Sequence, residues 1–146
     1  MCGWLDVQET SFREERYLIY AIAKEIKKNA TMLVIVGNGG SVVGTEAILQ
    51  ALNIMPNNEV KIVFTGNHLS GSAIQAFLNQ LQDEKLYINI VSKSGTTFET
   101  LVAFRILRNY MEMRYGDEAK NRIIITTEPN TTNLLNKIAD LYEYRT

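Results

Sequence analysis

One cysteine, Cys2, stands in a chain of 146 residues, so no disulfide can form within it and a reducing cytoplasm suits it best. Histidine is equally scarce: His68 is the only one. No uninterrupted apolar run approaches the ~20 residues that cross a bilayer, which excludes a membrane-spanning helix. The first sixteen residues carry acids early and lack a basic start followed by an apolar core, so they do not read as a secretory signal. Neither charge dominates, with 15 Lys and Arg against 16 Asp and Glu, and the basic residues are scattered. Without a basic patch the chain has no footprint for a nucleic-acid backbone or an anionic membrane. Low-complexity runs and internal repeats are also missing, which excludes disordered and solenoid classes.

What is present is an alternation. From Met32 onward, short β-rich runs alternate with amphipathic stretches, the pattern of a parallel sheet with crossover helices. The predicted strands are Met32 to Val36, Val60 to Phe64, Tyr87 to Val91 and Arg122 to Thr126. Their continuous apolar character suits strands buried on both faces. The predicted crossover helices are Val42 to Leu52, Ser72 to Leu81 and Phe98 to Arg114, with apolar residues three and four apart, as in Phe104, Leu107 and Met111. A helix is also expected before the first strand. Ser11 and Glu14 have capping-box spacing, and Tyr17, Leu18, Ala21, Ile22 and Ile26 form one apolar face that should pack on the sheet. A last helix is predicted near Asn133 to Ala139, after which the chain ends where another strand is expected. Residues 1–30 therefore read as an N-terminal segment and helix. Residues 31–146 read as one α/β unit, a three-layer αβα sandwich with a parallel, flavodoxin-like sheet truncated at its C-terminus.

In such sheets ligands bind beyond the carboxyl ends of the strands, where loops enter helix N-termini with free N–H groups. Two loops here suit that task. The first is Gly37-Asn38-Gly39-Gly40-Ser41, whose glycines permit tight turning and close approach of the backbone to a ligand. The second is Ser92-Lys93-Ser94-Gly95-Thr96-Thr97, in which four of six residues carry hydroxyls and one is a cation. A phosphate monoester bears close to two negative charges and accepts hydrogen bonds on every side, so hydroxyls, amides and a helix dipole all suit it. Ser92, Ser94 and Thr97 are the expected donors, with Thr96 in support and Lys93 as the only formal positive charge. The bland alternatives are a tight strand-to-helix turn for the first loop and simple helix capping for the second. Capping, however, uses one or two hydroxyls rather than four.

Other phosphate motifs fail on particular residues. The dinucleotide pattern G-x-G-x-x-G aligns at Gly37 and Gly39 but meets Val42 where it needs glycine, and no acid ends the second strand at Phe64-Thr65. The P-loop pattern aligns at Gly39 and Gly44 but continues as Thr45-Glu46 instead of Lys followed by Ser or Thr.

The Gly-x-Gly-Gly-Ser turn at Gly37 to Ser41 and the run Ser92-Lys93-Ser94-Gly95-Thr96-Thr97-Phe98-Glu99-Thr100 resemble the SIS domain of glucose-6-phosphate isomerases. The likeness extends to Gly3-Trp4-Leu5-Asp6, to Thr65 through Gly71, and to Ala103 through Leu107. The resemblance implies a sugar phosphate, glucose 6-phosphate or fructose 6-phosphate, held at Ser41, Ser92, Ser94 and Thr97, with Gly40 and Lys93 lining the pocket and Gly39 and Glu99 in support. It implies the interconversion of those two sugars in glycolysis and gluconeogenesis, through an enediol and with no cofactor or metal. It also places the family's Gly-Gly-Arg segment, base glutamate, ring-opening histidine and C-terminal lysine outside these 146 residues. No catalytic residue is therefore expected in this chain. Asn38 and Val42 depart from the family pattern. His68 and the acid pairs Glu14-Glu15 and Asp83-Glu84 read as structural or solvated. A free-standing module that senses a phosphosugar or binds a protein is the alternative reading, and a small isomerase for another sugar phosphate is a third. A bare sheet edge beside the last strand, open to self-association, is expected as well.

Overall fold

The computed structural model describes residues 12–52, 60–129 and 132–146. Through them run α1 (Phe12–Asn29), β1 (Met32–Val36), α2 (Gly40–Ala51), β2 (Lys61–Thr65), α3 (Gly71–Gln80), β3 (Leu86–Val91), α4 (Phe98–Tyr115), β4 (Ile123–Thr126) and α5 (Leu134–Tyr142). The four strands are all parallel and lie in the order β2-β1-β3-β4. The chain steps outward from β1 to β2, then returns past β1 to β3. The strand order thus reverses between β1 and β3, and a crevice opens beyond their carboxyl ends.

Side chains alternate across the sheet and separate two cores. Val34 and Val36 of β1, Ile88 and Ile90 of β3, and Ile123 and Ile125 of β4 face one side. There they meet Phe104, Leu107 and Met111 of α4, Leu135 and Ala139 of α5, and Leu81 at the end of α3. Each large aliphatic side chain buried here contributes about 1.5–3 kcal/mol. The opposite face is thinner: Tyr87 and Ile124 pack with Ile26 of α1, flanked by Ile22 and Leu33. Helices on both faces make the three-layer α/β sandwich the sequence predicts.

The differences from the sequence-based expectations are local. Strand β2 runs one residue later than predicted, and α2 begins two residues earlier, because Gly40 and Ser41 join the helix without contributing to its apolar periodicity. A 3-10 segment, Gly116–Arg122, joins α4 to β4 and pins itself through buried Ala119. Its polar sequence shows no period. Helix α1 forms, but its packing on the sheet is confined to its later turns: Ile22 and Ile26 join the second core, while Tyr17, Leu18 and Ala21 are exposed. Ser11 of the expected capping box and the Gly3–Asp6 stretch lie outside the described residues. Beside β4 the sheet edge is not wholly bare. Arg145 makes a parallel bridge to Ile124, and its carbonyl accepts the Ile125 N–H at 2.8 Å. That contact falls at the fifth position of a flavodoxin-like order.

Candidate functional site

The first loop leaves β1 and enters α2 through Gly39, whose φ of 55° and ψ of −130° belong to a region that only glycine occupies freely. This turn brings Gly40 and Ser41 to the first positions of α2, beyond the carboxyl ends of β1 and β3. No side chain caps that helix.

The second loop is held by its own polar groups. The Ser92 N–H donates to the Thr126 carbonyl at 3.1 Å, extending the β3–β4 ladder by one bond. The Gly95 N–H donates to Ser92 Oγ at 3.2 Å, and Ser92 Oγ also lies 3.3 Å from Thr97 Oγ1. Ser94 Oγ accepts from the Thr96 N–H at 3.2 Å and from Thr96 Oγ1 at 3.1 Å. Thr97 occupies the cap position of α4, yet its side chain makes no capping bond. The contrast with α3 and α5 is instructive: Ser70 Oγ accepts from the Ala73 N–H in α3, and Asn133 Oδ1 accepts from the Asn136 N–H in α5. Among the α-helices whose cap residues are described, α2 and α4, which open on the site loops, are the two with no side-chain capping bond.

Between the loops lies a cavity of about 440 Å³ lined by Ser41, Lys93, Ser94, Thr97, Glu128 and Asn133. The structure thus brings together Ser41, Lys93, Ser94 and Thr97 from two separate loops. Ser92 stands apart from that group. It is buried beneath the loop, and its hydroxyl serves Gly95 and Thr97. Gly39 and Gly40 are exposed at the start of α2, Thr96 is exposed and turned to Ser94, and Glu99 sits in the first turn of α4 without lining the cavity. His68 is exposed in the β2–α3 loop and does not line it either.

Glu128 and Asn133 escaped the sequence reading. Both come from the loop between β4 and α5, a third connection at the same end of the sheet. The rule that singled out the first two loops applies to it equally, but it lacks their glycines and reads as an ordinary polar link. Lys93 is the one cation and Glu128 the one carboxylate among the lining residues, so the cavity is polarised from one wall to another.

Fold and cavity together define a doubly wound α/β domain with a crevice rich in hydroxyls and helix N-termini at its strand ends. Residues 21–138 match the family described as phosphoglucose isomerase. The glucose-6-phosphate isomerase of Staphylococcus epidermidis is 42% identical over 148 residues, an alignment covering 99% of this chain and 33% of that protein. The glucose-6-phosphate isomerase of Symbiobacterium thermophilum is 39% identical over 150 residues, covering 97% of this chain and 34% of the relative. Among solved structures, a hypothetical protein from Thermus thermophilus superposes with a TM-score of 0.80 at 26% identity, covering 99% of this chain and 33% of the other. A glucose-6-phosphate isomerase from Chlamydia trachomatis shares the fold, with a TM-score of 0.70 at 22% identity over 83% of this chain and 23% of the other. The chain belongs to the phosphoglucose isomerase family. It spans about a third of the length of the curated relatives it matches.

Proposed function

We propose that the cavity binds the phosphate of glucose 6-phosphate or fructose 6-phosphate, as the sugar-phosphate-binding SIS part of a glucose-6-phosphate isomerase serving glycolysis and gluconeogenesis in the cytoplasm. The observation that carries this reading is the convergence of Ser41, Lys93, Ser94 and Thr97 on one cavity, beside two helix N-termini that no side chain caps.

The polarity of the hydroxyls supports an anion. Ser94 Oγ already accepts two hydrogen bonds from Thr96, so its own proton is left to donate outward. Ser92 Oγ accepts from Gly95 and lies 3.3 Å from Thr97 Oγ1, a contact in which either hydroxyl can donate; when Ser92 donates, the Thr97 proton is free for the cavity. In this reading Ser92 orients Thr97 and does not itself touch the ligand. Lys93 neutralises one charge of the phosphate, and the N-termini of α2 and α4 supply dipoles for the other. Glu128 repels an anion, so it faces the sugar, where it accepts from hydroxyl groups.

Turnover is not proposed for these residues alone. The base glutamate and ring-opening histidine implied by the family lie outside this sequence, while His68 and Glu99 do not line the cavity.

The test is calorimetric titration with fructose 6-phosphate, paired with an isomerase assay, on the chain and on a Ser94→Ala, Thr97→Ala double variant. Loss of two hydrogen bonds to a charged group should weaken binding about a hundredfold. Equal affinity in the double variant would sink the assignment of these hydroxyls. Robust turnover by the unaltered chain would refute binding without catalysis.

A further inference from the structure

Deepening the phosphate reading, and resting on it, we infer that Thr127 and Asn133 are positioning residues: a hydrogen-bonded clamp from α5 that holds the Ser92–Thr97 loop in its binding shape. The loop's internal bonds fix its turn but not its place over the cavity. From the far side, Thr127 Oγ1 donates to the Ser92 carbonyl at 2.7 Å, with the Lys93 carbonyl at 3.5 Å. Thr127 Oγ1 in turn accepts from Asn133 Nδ2 at 2.8 Å. The orientation of the Asn133 amide is settled by its other end, because Oδ1 accepts the Asn136 N–H at 2.9 Å and an amide nitrogen can only donate. Every donor in the chain therefore points one way, from the first turn of α5 through Asn133 and Thr127 into the loop backbone, and such chains strengthen their members.

Steric fit acts in the same direction. A Cβ placed on Gly95 would lie 2.4 Å from Asn133 Oδ1 and 2.5 Å from its Cγ, so the asparagine fills the space the glycine leaves. The loop is thus seated against α5 with no slack, and Ser94 and Thr97 are held before any ligand arrives. Thr127 does not line the cavity, so its effect on binding must pass through the loop.

Three variants separate this role from others. Thr127→Val removes the hydroxyl at nearly constant shape, Thr127→Ser restores it, and Asn133→Ser keeps an α5 cap while removing the amide donor. The readouts are hydrogen exchange at the loop amides, with β1 amides as the internal reference, and titration with fructose 6-phosphate. In Thr127→Val and Asn133→Ser, loop exchange should rise about fivefold and affinity should fall about fivefold, while β1 exchange holds and Thr127→Ser behaves as the unaltered chain. Loop exchange unchanged in Thr127→Val overturns the clamp whatever the titration shows. A loosened loop with undiminished affinity overturns its role in binding. If the unaltered chain binds no fructose 6-phosphate while exchange follows the expected pattern, the clamp is supported and the phosphate reading fails instead.

Discussion

Gly40 and Gly95 lack side chains for different reasons, and substitution separates them. At Gly95, φ is +64° and an added methyl would strike Asn133. Gly95→Ala should therefore destabilise the fold by about 1–2 kcal/mol for the backbone conformation alone, and more for the collision, as read by urea unfolding. At Gly40 a methyl group would meet nothing within 4 Å, and the residue opens α2. Gly40→Ala should leave stability unchanged or raise it by up to about 1 kcal/mol, since alanine is the better helix former. If the backbone there approaches a phosphate, the same variant should bind fructose 6-phosphate about tenfold more weakly, the equivalent of one lost charge-assisted hydrogen bond. Unchanged affinity in Gly40→Ala would remove this glycine from the pocket. A loss of stability as large as that of Gly95→Ala would show that its openness has been misread.

At the scale of elements, the contact between α1 and the end of the chain is electrostatic as well as apolar. Glu25 of α1 accepts from Arg145 at 2.7 Å and from the Tyr87 hydroxyl at 2.8 Å. The Arg145 hydrogen bond, against the opposing effect of burial and with help from Tyr87, holds the Glu25 carboxyl below its ordinary range. A carboxylate depressed in the folded state stabilises fully above its unfolded pKa, and that contribution is lost as pH falls through the folded value. Unfolding measured from about pH 6 down to about pH 3 should therefore show a gap between the unaltered chain and Glu25→Gln that closes as pH falls. A gap constant with pH would assign the effect to packing. The same helix shows where the sequence stops being informative. Periodicity from Tyr17 to Ile26 reveals an apolar face, but only Ile22 and Ile26 find partners on the sheet, and nothing local distinguishes them from Tyr17 or Leu18. The strands were legible because runs such as Met32–Val36 are apolar on both faces. The two glycine- and hydroxyl-rich loops were legible because their chemistry is contiguous in the chain. The roles of Asn133 and Thr127 were not, since they arise only when β4 lies beside β3 and carries α5 against Gly95.

For the molecule as a whole, the uneven cover of the sheet is the feature with a consequence. One face carries nearly the entire core, while on the outside of the helices Tyr17, Tyr20, Ile48 and Leu52 remain 77%, 66%, 59% and 62% exposed. The edge beside β4 is engaged by Arg145, so the edge open to association is the one at β2, where no strand among the described residues pairs with its outer side. Lys61 blunts the start of that edge, but Ile62 beside it is 38% exposed. An unpaired strand edge next to apolar helical surface favours pairing with a second copy. Light scattering should show a mass that climbs above 16.6 kDa as concentration is raised. Ile62→Lys, which adds a second charge to the edge, should hold the chain at the monomer mass without lowering its unfolding midpoint, because the residue is already partly in water. A strict monomer across the accessible concentration range would refute association. Association that persists in Ile62→Lys would move the contact from the β2 edge to the apolar faces of α1 and α2, where Tyr20→Lys and Ile48→Lys would then be the variants that abolish it.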